Sequence, residues 1–503
     1  LSVPALMLRG TRSSGGSDIT GGLVTLPNFF NLEATQSPSC MNVRFLPGGT
    51  IEKRLGASSL NTVILASTAG WGVFDFGGGG DLRWLVVAAG SGIYASSNRG
   101  VTFVGIATGN FAVQDYINFE RSKPYLIATM ESRNTVLYWA GSVSTFMSAL
   151  AVGSAPAAKY AVDFQGFLML MNTNANKRRI AYADNNLITT DPWNNTFDLP
   201  SSSDDEITGS AILNKRLYVF TKYKIFRISY VGGNPDFAYQ DIKDWGAVPR
   251  TIQKITVPEI GEVIICLAWD RTIRIFDGTE DQIISGNIES GDGISTVSLE
   301  DINERGINRS FGVTDTNEQT YKLWLAMGGS TTTTHCFVYD PLSQAFYPYD
   351  NQAYNLALMA ESGGAANRRE LIGIRHTGRV HIMNSGNTDA SGTIEDYYQS
   401  PFFFGKTPGV VSKTQRIGLY FSVTSSDTLH YQDRLNFNET FGETRARISF
   451  ADTANKVQMV KTIDLPVTSN IYQFQLSSSS GVADPWRLNY VDLQQTDLGI
   501  GKA

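Results

Sequence analysis

An aromatic residue returns at a fixed interval through the first half of the chain, at Tyr94, Tyr138, Tyr182 and Phe226. The differences 138−94, 182−138 and 226−182 all equal 44. Each sits in a short apolar step: Gly92-Ile93-Tyr94, Val136-Leu137-Tyr138-Trp139, Ile180-Ala181-Tyr182 and Ile225-Phe226-Arg227. Looser copies follow at Ile273-Arg274-Ile275-Phe276, Phe337-Val338-Tyr339-Asp340 and Val380-His381-Ile382-Met383. Periods of this size build solenoids, propeller blades or tandem arrays.

What fills each period decides among them, and strands fill it. Residues 82–89 form a nearly continuous apolar run, Gly90-Ser91-Gly92 supplies a turn, and residues 93–96 make the next strand. The same order recurs at 166–171, 215–220 and 262–267. Short apolar runs between Gly, Asn and Asp turns read as buried strands. An inner strand buried on both faces should be almost wholly apolar, with alternation toward the rim. This gradient suits a propeller blade. Seven copies over residues 60–392 allow about 48 residues each. The expected fold is therefore all-β, with a six- or seven-bladed β-propeller over 59–392. An N-terminal arm and β-hairpin (1–58) precede it, and a β-sandwich-like domain (393–503) follows.

A chain of 503 residues holds two or three domains and a large core. Only 17% of it is charged, and the net charge of −6 offers no basic face for stable nucleic-acid binding. A channel through which DNA slides without sticking is still compatible, because sticking needs phosphate neutralisation. Cys40, Cys266 and Cys336 are too few and too scattered for a disulfide framework or a zinc site. No apolar run approaches a membrane span. The first eight residues lack the charge and cleavage site of a secretion signal.

The N-terminal segment does not show the repeat. Residues 10–22 are rich in Gly, Ser and Thr and predict an arm that is flexible or ordered by a partner. Asn42-Val43-Arg44-Phe45, a Gly48-Gly49 turn and Ile51-Glu52-Lys53-Arg54 then read as a hairpin. As plain structure, this would be a strand that closes the propeller ring. The series Gly-Gly-Leu, Ser-Pro, Asn-Val-Arg-Phe, Gly-Gly, Ile-Glu-Lys-Arg and Gly over 21–56 also resembles the N-terminus of β-propeller nozzle or tail-hub proteins of short-tailed bacteriophages. The resemblance extends to the propeller in architecture only.

That resemblance implies a non-enzymatic virion protein made in the host cytoplasm. It would be a homo-oligomer, six copies forming a ring around the DNA exit channel. Its implied partners are the tail adaptor on the portal side, tail fibre proteins and double-stranded DNA in passage. It brings no cofactor and no catalytic residue. Asn42, Arg44, Lys53 and Arg54 of the hairpin are the candidate partner contacts. With them stand Glu289, Asp292, Glu300 and Asp301, from an acidic insertion at 286–306. This insertion accounts for the stretched interval of 64 between Ile275 and Tyr339, and it is expected to project from one face.

Other motifs carry less. The acidic run Ser201-Ser202-Ser203-Asp204-Asp205-Glu206 reads as a solvated turn rather than an acid–base pair. Glycines 77–80 lack the Gly-Lys-Ser/Thr of a phosphate loop and read as a hairpin tip. The single Trp269-Asp270 has no Gly-His companion, so no WD repeat is indicated. The four histidines match no zinc spacing. Ser96-Ser97-Asn98-Arg99-Gly100-Val101-Thr102-Phe103 resembles the Asp-box of sialidase-type propellers, with Asn98 where Asp is usual. In that family the box is a structural turn, and it motivates a glycan-binding or sialidase-like alternative. Arg178-Arg179 and Arg368-Arg369 are the nearest thing to a carboxylate-gripping arginine cluster.

At the C-terminal end, Ile417, Leu419, Phe421 and Val423 alternate on one strand face. Further strands are expected over 445–450, 457–463, 471–476 and 487–493, with turns at 452–455, 466–470 and 477–481. Pro401-Phe402-Phe403-Phe404 reads as core or interdomain packing.

Overall fold

The computed structural model describes residues 21–25, 32–33, 35–46, 49–61, 65, 69–77, 83–109, 115–142, 144–150, 155–184, 188–190, 193–233, 236–291, 297–361, 369–389, 392–404, 410–423, 428–436, 441–442, 446–449, 459–469, 471–478 and 486–500. The expectations for residues 1–20, Gly78 to Gly80, Asp292, Arg368, the turn at 452–455 and residues 479–481 of the last turn lie outside these. The described chain is all-β, its helical content being the 3-10 turns Leu299–Asp301 and Ile307–Arg309. No described helix is long and apolar enough to cross a membrane.

Seven four-stranded antiparallel sheets follow one another along the chain, here numbered 1 to 7. Their first strands are Gly70–Gly77, Ile117–Ser122, Ala158–Phe164, Ile207–Leu213, Gln253–Val257, Phe311–Asp315 and Tyr354–Glu361. Each first strand packs beside the first strand of the next sheet. The seventh packs against the first, so the series closes on itself in propeller fashion.

The 44-residue signal falls on one structural position. Tyr94, Tyr138, Tyr182 and Phe226 lie in third strands, opposite Val87, Ile127, Met169 and Val219 of the second strands. The second strand is the apolar one: in Phe167–Thr173 every residue after the first is buried. The expected gradient is corrected here, because the innermost strand alternates instead, as in Ala158–Phe164. A second strand has sheet on both sides and neighbouring sheets above and below. A first strand borders the axis and can carry polar residues there.

Sheet 7 takes its fourth strand from before the repeat. Ala57–Ser59 pairs with Val380–Met383, so the closing strand is this short stretch rather than the hairpin ahead of it. The hairpin, Val43–Leu46 and Thr50–Lys53, belongs to an eighth sheet with Trp486–Ile500, Val410–Val423 and Met459–Ser469. A ninth sheet joins Cys40–Met41 to Tyr397–Gln399, Ile471–Ser478, Thr428–Leu435 and Ala446–Ser449. Chain from both sides of the repeat therefore builds the same two sheets. Phe45, Ile51, Tyr398, Tyr431, Tyr472, Phe474 and Trp486 share their apolar core.

Pro466, expected in a turn, lies inside Met459–Ser469. That strand is at the edge of its sheet, where a missing N–H is tolerated. Phe402 is buried, and Phe403 stacks on Phe474, as core packing predicts.

The N-terminal segment runs along Ala345–Tyr349, the outer strand of sheet 6, and the Asn42 amide donates to the Pro348 carbonyl. An otherwise open strand edge is thereby covered.

Candidate functional site

The hairpin residues proposed as partner contacts face inward, and this corrects the expectation for Asn42, Lys53 and Arg54. The Lys53 side chain is 1% exposed and pairs with Asp396 at 2.9 Å. Asp396 also accepts from Trp486 Nε1 at 2.7 Å and from the Ser478 hydroxyl. Arg54 grips both carboxylate oxygens of Asp389, at 2.9 and 2.5 Å, and donates to Asn42 Oδ1 at 2.7 Å. Asn42 in turn donates to Asp350 Oδ1 at 2.6 Å and to the Glu395 carbonyl. Burial opposes the Arg54 charge, but its hydrogen bonds to Asp389 and the field of that carboxylate raise its pKa. A buried charge is kept only where it is paired in this way, and such a pair is spent on internal joins.

Arg44 keeps one-fifth of its side chain exposed but is also held within the chain. It pairs with Glu52 and, at 2.7 Å, with Glu318 of sheet 6. Glu52 pairs onward with Arg487, and Glu318 with Lys322, which also holds Asp315 at 2.8 Å. Burial pulls the Asp315 carboxyl up, yet Lys322 together with the Glu318 and Asn317 amides leaves its pKa below the ordinary value. A continuous run of alternating charges thus links the eighth sheet, the hairpin and sheet 6.

The insertion does not simply project. Ile288, Leu299 and Ile302 are buried, and Thr25 donates to the Asn287 and Ser290 carbonyls. Glu289 accepts from the Ser285 hydroxyl, and Asp301 caps Ser298. Glu300 and Asp301 remain exposed, so among the described candidates they are the ones open to a partner. The acidic run near 205 is likewise only half solvated. Asp205 is buried and accepts the Glu206 and Lys222 amides.

The Asp-box-like turn forms as its residues suggest. Asn98 Oδ1 accepts from the Ser96 hydroxyl and the Thr102 amide at 2.9 Å each, while the Gly100 amide donates to Ser96 Oγ at 2.8 Å. Asn98 therefore does the turn work of the usual Asp. The turn lines a cleft of about 710 Å³ between sheets 1 and 7, with Asp75, Arg83, Glu361 and Glu370. No group of three or more His, Cys, Asp or Glu side chains able to hold a metal occurs among the described residues.

A different constellation, unremarked in the sequence, sits where the first strands begin. Trp71 is the second residue of its strand in sheet 1, and Tyr116 immediately precedes that of sheet 2. Arg250 precedes sheet 5 and Arg309 precedes sheet 6. The Arg250 guanidinium lies 3.8 Å from the centre of the Tyr116 ring and 3.5 Å from Glu131, and donates to the Asn308 carbonyl. Arg309 lies 4.9 Å over Trp71, whose ring meets Tyr116 edge-on at 4.9 Å.

Sheets 2 and 5 are not neighbours, so these contacts span the axis of the ring. Arg250 has φ +63, a strained conformation of the kind stored at sites. Burial raises the Tyr116 pKa against the pull of Arg250 and Arg309, so its hydroxyl remains a donor. On the neighbouring sheets, Arg133 and Lys159 converge on Glu206 at 3.6 and 3.3 Å. The missed signal was positional: a cation two or three residues ahead of an inner strand, in loops that carry no repeat.

No protein-family model matches the chain, and no curated protein matches it. Among solved structures, the chain is similar to the β-propeller domain of Cps50 (Swd1) from Myceliophteria thermophila. The identity is 12% and the TM-score 0.42, over 64% of this chain and 99% of that one. It is also similar to YCF48 from Cyanidioschyzon merolae (10%, TM-score 0.38, 65% and 98%). A puromycin-hydrolyzing peptidase of Mycobacterium tuberculosis aligns at 12% and TM-score 0.37, over 69% of this chain and 60% of that one.

Proposed function

We propose that the chain is a seven-bladed β-propeller joined to a β-sandwich, and that it serves as a non-enzymatic structural subunit of a bacteriophage tail. Copies assemble into a ring, six in the family it resembles, and dock on a tail adaptor and fibre proteins. The observation that carries this reading is what the N-terminal motif does. Asn42, Arg44, Glu52, Lys53 and Arg54 all act as joins between propeller rim and C-terminal sheets. A motif committed to locking two units together suits a load-bearing subunit better than an enzyme with moving parts.

DNA in this reading passes between copies and not along the propeller axis, which the Arg250–Tyr116 contact crosses. Partner contacts fall to exposed groups such as Glu300 and Asp301. Electron microscopy of the purified chain, alone and at high concentration, tests the reading. Open-centred rings are the expected result and count the copies directly. Isolated discs under every condition, including mixtures with candidate adaptor proteins, would overturn it. The Asn98 cleft would then be the place to look for a glycan.

A further inference from the structure

The axial cluster is short of acceptors. The Arg250 side chain is only 6% exposed, yet neither its Nε nor its Nη1 makes a hydrogen bond among the described residues. Nη1 reaches Glu131 only as an ion pair at 3.5 Å. Trp71 Nε1, in a residue 3% exposed, has no hydrogen-bond partner among the described residues. The Tyr116 hydroxyl, beside Arg309, is buried without a hydrogen bond of regular geometry among the described residues. Buried polar groups are almost always satisfied, and several exceptions gathered in one place call for an explanation, of which a bound water or ion is one.

Here the exceptions share one sign. Arg250 offers the N–H donors of two nitrogens, Trp71 one N–H, and Tyr116 an O–H, with the Arg309 cation stacked on the same pair of rings. Arginine paired with neutral N–H and O–H donors is the arrangement that recognises an oxyanion, whose oxygens take several hydrogen bonds at once. Among the described residues Glu131 is the one carboxylate paired with Arg250, and Arg309 has no ion pair. The donors come from sheet 1 and from the residues just ahead of sheets 2, 5 and 6, so an anion among them would also tie opposite sides of the ring together.

We propose that the axial mouth of the ring, where the first strands begin, binds a small oxyanion: the carboxylate or phosphate group of a ligand held by Arg250, Arg309, Trp71 and Tyr116. This site is independent of the tail reading, since it stands whether or not copies assemble.

The test uses the full chain at constant ionic strength, titrated with sodium phosphate, sodium acetate or sodium chloride. Binding is followed by calorimetry and by the nitrogen-15 indole signal of Trp71, assigned through Trp71→Phe. Saturable binding of phosphate or acetate, with movement of the Trp71 signal and no response to chloride, is expected. Which anion binds tells phosphate from carboxylate. Arg250→Gln and Arg309→Gln should each weaken binding about tenfold or more, the loss of at least one charge-assisted hydrogen bond. Arg83→Gln, in the rim cleft, should leave binding unchanged. If neither anion binds saturably or moves the Trp71 signal in the unmodified chain, water serves these donors and the proposal falls. That arm needs no variant to fold.

Discussion

At the scale of single residues, the N-terminal motif is an assembly of tight fits. A Cβ on Gly56 would come 2.1 Å from the Thr388 carbonyl oxygen, and one on Gly22, at φ +66, would come 2.7 Å from Phe346 O. Both glycines were visible in the sequence, but the segments they press against lie hundreds of residues away. Lys53 shows the same limit. Its charge reads as surface chemistry until Asp396 is placed beside it. Replacing Lys53 by Met strands that carboxylate, and unfolding by urea should show a loss of about 3–5 kcal/mol. Adding Asp396→Leu should recover only part of it, because Trp486 Nε1 then loses its acceptor. A single variant as stable as the parent would mean the pair contributes nothing.

Among the elements, the repeat was legible because third strands occupy one position in every sheet, and packing there tolerates only large apolar side chains. The first strands were less legible: they mix polar and apolar residues to suit the axis, and the eye settles on their apolar neighbours. The closing strand was harder still, since Ala57–Ser59 is three small residues with no pattern. Its importance is topological, as it pins the chain's beginning to sheet 7. The Leu60 amide bonds to the Val380 carbonyl, and Ser58 lies opposite Ile382 in the same register. Ser58→Pro removes a ladder donor and should cost about 1–3 kcal/mol. Amide hydrogen exchange at Val380 and Ile382 should quicken well before that of sheet 4. Equal protection in variant and parent would show that sheet 7 holds without its borrowed strand.

For the molecule as a whole, stability depends on pH through buried groups on the inner wall and on sheet 7. Glu120, on the first strand of sheet 2, is half-buried by area but hemmed in by the wall. Burial raises its pKa to about 8; the Asp163 amide opposes this and the Asp163 charge adds to it. The folded state thus holds this proton more tightly than the unfolded chain does. Its contribution is complete below the ordinary carboxyl range and is lost as pH rises toward 8. His376 and His381 act on the other side. Burial, with Arg375 nearby, lowers both to about 4, so their contribution is complete above 6.5 and is lost as pH falls toward 4. Between pH 6.5 and 8 the histidines are silent and the Glu120 term acts alone among these three. Thermal unfolding across that window should show a falling midpoint in the parent chain and a flatter line in Glu120→Gln, which keeps the shape of the protonated acid. An identical slope in both would mean that Glu120 is already ionised in the folded ring, with solvent reaching it along the axis from the end opposite Arg250.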